Sequence, residues 1–200
     1  MFDPKAESRR ALLIGVLFEG GLGVLACLLG WLLDVRLWAQ FSWAARDAGL
    51  GAAAAVPLAV LFFAALHSRL QPLVRIRRFL DEVFRPLFVR CTLADLALLS
   101  ALAGLGEEML FRGLLQTSVS RPLGTTAGLV VASVAFGLAH SITPTYAVVA
   151  GVIGGYLGWL WLATGNLLVP VVAHGLYDFV ALVYLLRRQV PPAETDGAGG

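Results

Sequence analysis

The sequence predicts an all-α fold, a polytopic transmembrane bundle of about six spans with one amphipathic helix on the cytoplasmic side. Three observations predict it. Of 200 residues 58% are hydrophobic and only 14% charged, with a mean hydropathy of +0.81, a balance foreign to soluble domains of this size. Apolar runs near the roughly 20 residues that a spanning helix needs recur along the chain with short breaks. Of the fifteen basic residues, all arginine except Lys5, six cluster in one stretch between the second and third runs. One membrane-embedded domain over 1–190 follows, with its chemistry-bearing core at 91–188 and a disordered tail at 191–200. The two cysteines, Cys27 and Cys91, sit in or beside apolar segments and offer neither a disulfide framework nor a cysteine-rich metal site.

The first span runs from Ala11 to Leu33 between Arg9, Arg10 and Asp34. Glu19 interrupts it, and apolar sequence continues past the small residues of a would-be cleavage box, so an uncleaved helix is expected. Leu50 to Leu66 is the second span. Between His67 and Arg90, residues Leu73, Ile76, Leu80, Val83, Phe84 and Leu87 recur at helical spacing opposite Arg75, Arg78, Glu82 and Arg85, the pattern of a helix lying on a membrane surface. Thr92 and Asp95 form a capping pair ahead of the third span, Leu93 to about Leu115. Thr125 to His140 is the fourth; Pro144 breaks the chain; Tyr146 to Ala163 is the fifth. The Gly165-Asn166 turn leads into the sixth, Leu167 to Leu186, which Arg187 and Arg188 end.

Against this apolar background the remaining charges stand out. The third span holds Glu107, Glu108 and Arg112; the fourth ends in Phe136-Gly137-Leu138-Ala139-His140; the sixth carries His174 and Asp178. Each charge at such depth costs about 2.5 to 3.5 kcal/mol on insertion scales, so several on three helices should face the bundle interior and serve a purpose beyond isolated ion pairs. Glu108 and Arg112 are four apart and neutralise each other on one face. Glu107 is turned about 100° from Glu108 and is free to present a carboxylate to a cavity, where it is the better general base. Phe136 with His140, and His174 with Asp178, are likewise four apart. One tension is visible: at about 1.5 Å per residue Glu107 lies roughly 21 Å from the cytoplasmic start of its helix, whereas His140 closes the fourth span on that side, so the two meet only with tilt or through a broken or displaced third helix.

Taken together, Glu107-Glu108-Met109-Leu110-Phe111-Arg112, Phe136-Gly137-Leu138-Ala139-His140 and His174-Gly175-Leu176-Tyr177-Asp178 resemble the three motifs of the CPBP family, the CAAX-type and bacteriocin-processing membrane proteases, in their order E-E-x-x-x-R, F-x-x-x-H and H-x-x-x-N or D. The resemblance implies a bacterial intramembrane endopeptidase. In it Glu107 and His140 activate water, His174 with Asp178 holds the oxyanion, and Glu108, Arg112 and Phe136 are structural. Asp178 stands where the family more often has asparagine. It is either protonated, or orients His174, or joins Glu107, His140 and His174 in binding a divalent metal such as zinc; without a metal the reaction needs no cofactor. The expected substrate is a membrane-tethered or membrane-proximal peptide or protein, a C-terminal processing or sorting tag among the fitting classes. The alternatives are a non-catalytic peptide-binding immunity or chaperone-like protein and a proton-relaying transporter. The lipid bilayer is the expected surrounding, and no nucleic-acid partner is expected.

Six spans, with the arginine-rich stretch inside, place both termini on the cytoplasmic side of the cell membrane. Reporter fusions after Arg90 and after Arg188 should therefore read cytoplasm and one after Arg36 the outside; an external readout at Arg90 would reverse the orientation.

Overall fold

A computed structural model describes residues 4–188, and among them there are helices and turns but no strand. The tail expected at 191–200 lies outside the described residues. Seven helices follow in order: α1 (Pro4–Leu32), α2 (Ala45–His67), α3 (Gln71–Phe88), α4 (Leu93–Leu123), α5 (Thr125–Ala139), α6 (Pro144–Thr164) and α7 (Leu168–Arg187). Each span expected from the sequence forms a helix, yet they differ in reach. Four of them, α1, α2, α6 and α7, are long and apolar enough to cross a membrane. A fifth is reached only if α3 and α4, bent by 116° where they meet, count as one broken span. The reason lies in the residues that matter most: α4 carries Asp95, Glu107, Glu108 and Arg112, and α5 stops at fifteen residues, about 22 Å. The chain is thus a multi-pass membrane protein with one short and one charged helix inside it.

The boundaries have local causes. Thr92 and Asp95 close a complete capping box at the start of α4, the Thr92 hydroxyl accepting from the Asp95 amide and the Asp95 carboxylate accepting from the Thr92 amide. Gly124 (φ 87°) turns α4 into α5, and Gly165 (φ 65°) turns α6 towards α7, both in the positive-φ range that glycine alone adopts freely. Pro144 opens α6 at a position where its missing amide goes unneeded, and Thr143 caps that helix by accepting from the Tyr146 amide at 3.1 Å.

Small residues let the helix backbones approach, as is usual where lipid leaves no hydrophobic gain for helix association. A side chain on Gly104 of α4 would sit 2.8 Å from the Gly175 amide nitrogen and from the Val171 carbonyl oxygen of α7. One on Gly51 of α2 would sit 2.7 Å from the Val169 carbonyl oxygen. On the outside, Leu13, Ile14, Leu17 and Phe18 of α1 and Val148 and Val152 of α6 are exposed, an apolar surface suited to lipid.

In α3 the expected stripe is present but displaced. A π-helical turn over Leu80–Phe84 inserts an extra residue into the helix. As a result Leu73, Ile76, Phe79, Leu80, Phe84 and Phe88 face the bundle, while Val83 and Leu87, expected on that face, are exposed. At the end of the bundle that holds the Gly124 and Gly165 turns, Arg121 donates to the Asp34 carbonyl at 2.9 Å. Asn166 there ties Ser42 and Asp47 to the start of α7.

Candidate active site

Hairpin arithmetic brings the first pair together. Glu107 lies seventeen residues before Gly124 and His140 sixteen after it, so two antiparallel helices leaving that turn return these residues to the same depth. The expected tension dissolves because α5 is short; α4 runs on through Glu107 unbroken and loosens into π-helix only afterwards, over Met109–Gln116. His140 Nε2 stands 3.7 Å from Glu107 Oε2. The His140 ring stacks on Phe136 with centroids 4.4 Å apart, and its Nδ1 lies 2.9 Å from the Phe136 carbonyl oxygen. A carbonyl only accepts, so the proton of the neutral ring sits on Nδ1, and Nε2 is left as an acceptor facing a carboxylate that also accepts. Glu107 Oε2 is buried and has no hydrogen-bond partner in the protein. Two acceptors at that spacing are satisfied together by one donor between them, such as a water molecule.

The second pair hangs on Glu108. Its Oε1 accepts from Arg112 Nη1 at 2.6 Å and faces His174 Nδ1 at 2.8 Å; Glu108 and Arg112 are both fully buried. Arg112 Nη2 in turn donates to the Gly154 carbonyl of α6 at 2.9 Å, and its guanidinium lies 4.4 Å from the Phe136 ring centroid, over a π-face that favours cations. Because an ionised carboxylate only accepts, His174 carries its proton on Nδ1 and turns Nε2 outward, 3.5 Å from Asp178 Oδ2. The sequence paired His174 with Asp178 alone. The structure adds Glu108 as its closer partner, so Glu108 does more than neutralise Arg112.

Glu107, His140, His174 and Asp178 line one cavity of ≈ 390 Å³, walled otherwise by apolar side chains such as Leu58, Phe62 and Leu99 and by Tyr146 and Tyr177. Phe136 joins both pairs, stacking on His140, edge-on to His174 at 5.9 Å and beneath Arg112. The four titratable residues stand as two pairs, and among the described residues no three His, Cys, Asp or Glu side chains group as metal ligands. Glu19 of α1 also lines the cavity. It matches no motif and reads from sequence as a bundle contact; its interruption of an apolar run was the one signal for it.

This division of contacts predicts unequal consequences for the two glutamates. Glu108→Ala leaves Arg112 buried without its anion, which costs on the order of 3 to 5 kcal/mol and should lower the yield and melting temperature sharply. Glu107→Ala removes a carboxylate that is not hydrogen-bonded to the protein and should leave both nearly unchanged. Equal destabilisation by both substitutions, read from thermal unfolding in detergent, would contradict the arrangement.

Comparison with known proteins agrees with the motifs. Residues 90–180 match the family described as Type II CAAX prenyl endopeptidase Rce1-like, a stretch that contains all three motifs and leaves out α1, α2 and α3. Over 96 residues the chain is 34% identical to the uncharacterized protein YpbD of Bacillus subtilis (strain 168), 48% of either chain, so it spans about half the length of that curated relative. No solved structure matches. Over residues 90–180 this chain is therefore similar to the family described as Type II CAAX prenyl endopeptidase Rce1-like.

Proposed function

We propose that the protein is an intramembrane endopeptidase that hydrolyses a peptide bond in a membrane-tethered or membrane-proximal substrate, with water activated between Glu107 and His140. The observation that carries this reading is the pair of facing acceptors, Glu107 Oε2 and His140 Nε2, 3.7 Å apart on the wall of an otherwise largely apolar cavity. A water donating both protons to them keeps a lone pair free for attack. That lone pair forms a bond to the scissile carbonyl carbon as Glu107 takes a proton, and the carbonyl π-electrons move onto oxygen. Collapse of the tetrahedral intermediate breaks the C–N bond, and the proton held by Glu107 passes to the departing amine nitrogen.

His174 presents Nε2 to the same cavity and, when that nitrogen is protonated, donates to the oxyanion. Asp178, 3.5 Å from that nitrogen, acts as a positioning residue that holds the ring. Glu108 fixes the ring from the other side through Nδ1. In this scheme no metal takes part. A C-terminal processing or sorting tag is one substrate class that fits a site opening among membrane helices, and the cell membrane, with both termini in the cytoplasm, is the proposed location.

Purified protein in lipid nanodiscs, given membrane-anchored peptides, tests the scheme. Glu107→Gln and His140→Ala should each lower kcat by about 10²-fold or more with the melting temperature retained. Asp178→Asn should keep substantial activity with an altered pH profile, because the amide is isosteric and can itself donate a hydrogen bond. Stoichiometric zinc that leaves together with activity in Asp178→Asn would replace this mechanism with a metallopeptidase one. Peptide binding that survives while no variant or wild type ever cleaves would favour the non-catalytic binder.

A further inference from the structure

Every carboxylate of the site but one has a counterpart in the protein. Glu107 faces His140, Asp178 faces His174, and Glu108 holds both Arg112 and His174. The exception is Glu19. It belongs to α1, outside the family-matching segment, on a helix whose apolar window is only 6% buried, so most of its surface faces outward. Yet Glu19 turns inward, onto the wall of the same cavity and within electrostatic reach of Glu107, Asp178 and His174. Its Oε2 is buried and finds no hydrogen-bond partner.

Backbone contact sets its depth. A Cβ on Gly106 would overlap the Glu19 carbonyl oxygen, and one on Gly23 would lie 3.7 Å from the Gly106 Cα, so α1 crosses α4 one residue before Glu107. The glutamate is therefore held level with the reacting atoms rather than at the cavity mouth. A carboxylate in apolar surroundings is costly unless matched by a cation or by donors. Of the basic side chains lining the cavity, the two histidines already face Glu107 and Asp178, and Arg77 of α3 donates to the Leu66 carbonyl.

We propose that Glu19 is a specificity-determining residue, whose carboxylate receives the positively charged side chain of a lysine or arginine that the substrate carries beside the scissile bond. This rests on the protease reading above. The substrate supplies the missing counter-charge, and the pairing sets the register of the peptide against Glu107 and His140.

The test uses the full chain in lipid nanodiscs and a membrane-anchored peptide series in which a single lysine is moved along the sequence, with norleucine as its uncharged match. Binding is measured in a Glu107→Gln background, where turnover is silent. At one position lysine should bind about tenfold more tightly than norleucine, the range expected of a charge-assisted hydrogen bond in a dry site. Glu19→Gln should bring that ratio towards one, and Glu19→Asp should retain part of it. A lysine preference unchanged by Glu19→Gln, or no preference at any position, overturns the proposal. Cleavage by the protein with Glu107 intact separates the two readings. Glu19-dependent lysine binding without any cleavage would leave the pairing of Glu19 with a substrate cation standing and end the protease reading. Cleavage with a preference indifferent to Glu19 would do the reverse.

Discussion

The buried contact between Glu108 and Arg112 is the constraint on which the rest of the site depends. Both side chains are fully removed from solvent, and neither charge is tolerable there alone. Their pairing is completed by groups on three other helices: the Gly154 carbonyl on α6, the Phe136 ring on α5 and the His174 imidazole on α7. An ion pair of this kind adds little net stability over a well-packed apolar equivalent, because desolvation offsets its attraction. What it supplies is geometry. Four helices must meet at one depth and one rotation for the pair to be satisfied, and that same placement sets Nε2 of His174 and the Phe136–His140 stack against the cavity.

Around this anchor, the backbone is regular where position matters and irregular where room is needed. The turn at Gly124 fixes Glu107 opposite His140 by near-equal counting along two helices. Just past the glutamates the chain widens into π-helix from Met109 to Gln116, a form that recurs at functional sites, while Arg112 keeps its reach to Glu108 at 2.6 Å. Glycines at 104, 106, 137 and 154 bring helix backbones or the Arg112 and Phe136 side chains so near that any side chain there would meet them. The cavity thus forms between tightly crossed helices instead of in a loosely packed region.

Much of this was legible in the sequence, for reasons that can be named. Helix positions followed from apolar runs and from local stop signals: the Thr92–Asp95 box, Pro144 and Gly165 all sit where helices begin or end. The Glu108–Arg112 contact followed from a spacing of four, which depends on helix geometry alone. What escaped were consequences of backbone irregularity and of partners far apart in sequence. The π turn in α3 moved the apolar face by one residue, so Val83 and Leu87 point outward where a regular helix would bury them. Assigning every apolar run a full crossing made Glu107 and His140 look misplaced, whereas the fifteen-residue α5 ends at the right depth. His174 binding to Glu108, 66 residues away, and Glu19 reaching the cavity from α1 depend on helix rotations that no local pattern encodes.

The central claim is that water itself, not a side chain, attacks the peptide carbonyl. Cleavage of a membrane-anchored peptide in ¹⁸O-enriched water containing hydroxylamine tests it most directly. The account predicts one ¹⁸O atom in the newly formed carboxylate and no hydroxamate at any hydroxylamine concentration. Capture of the acyl fragment as hydroxamate would reveal a covalent enzyme intermediate and contradict it.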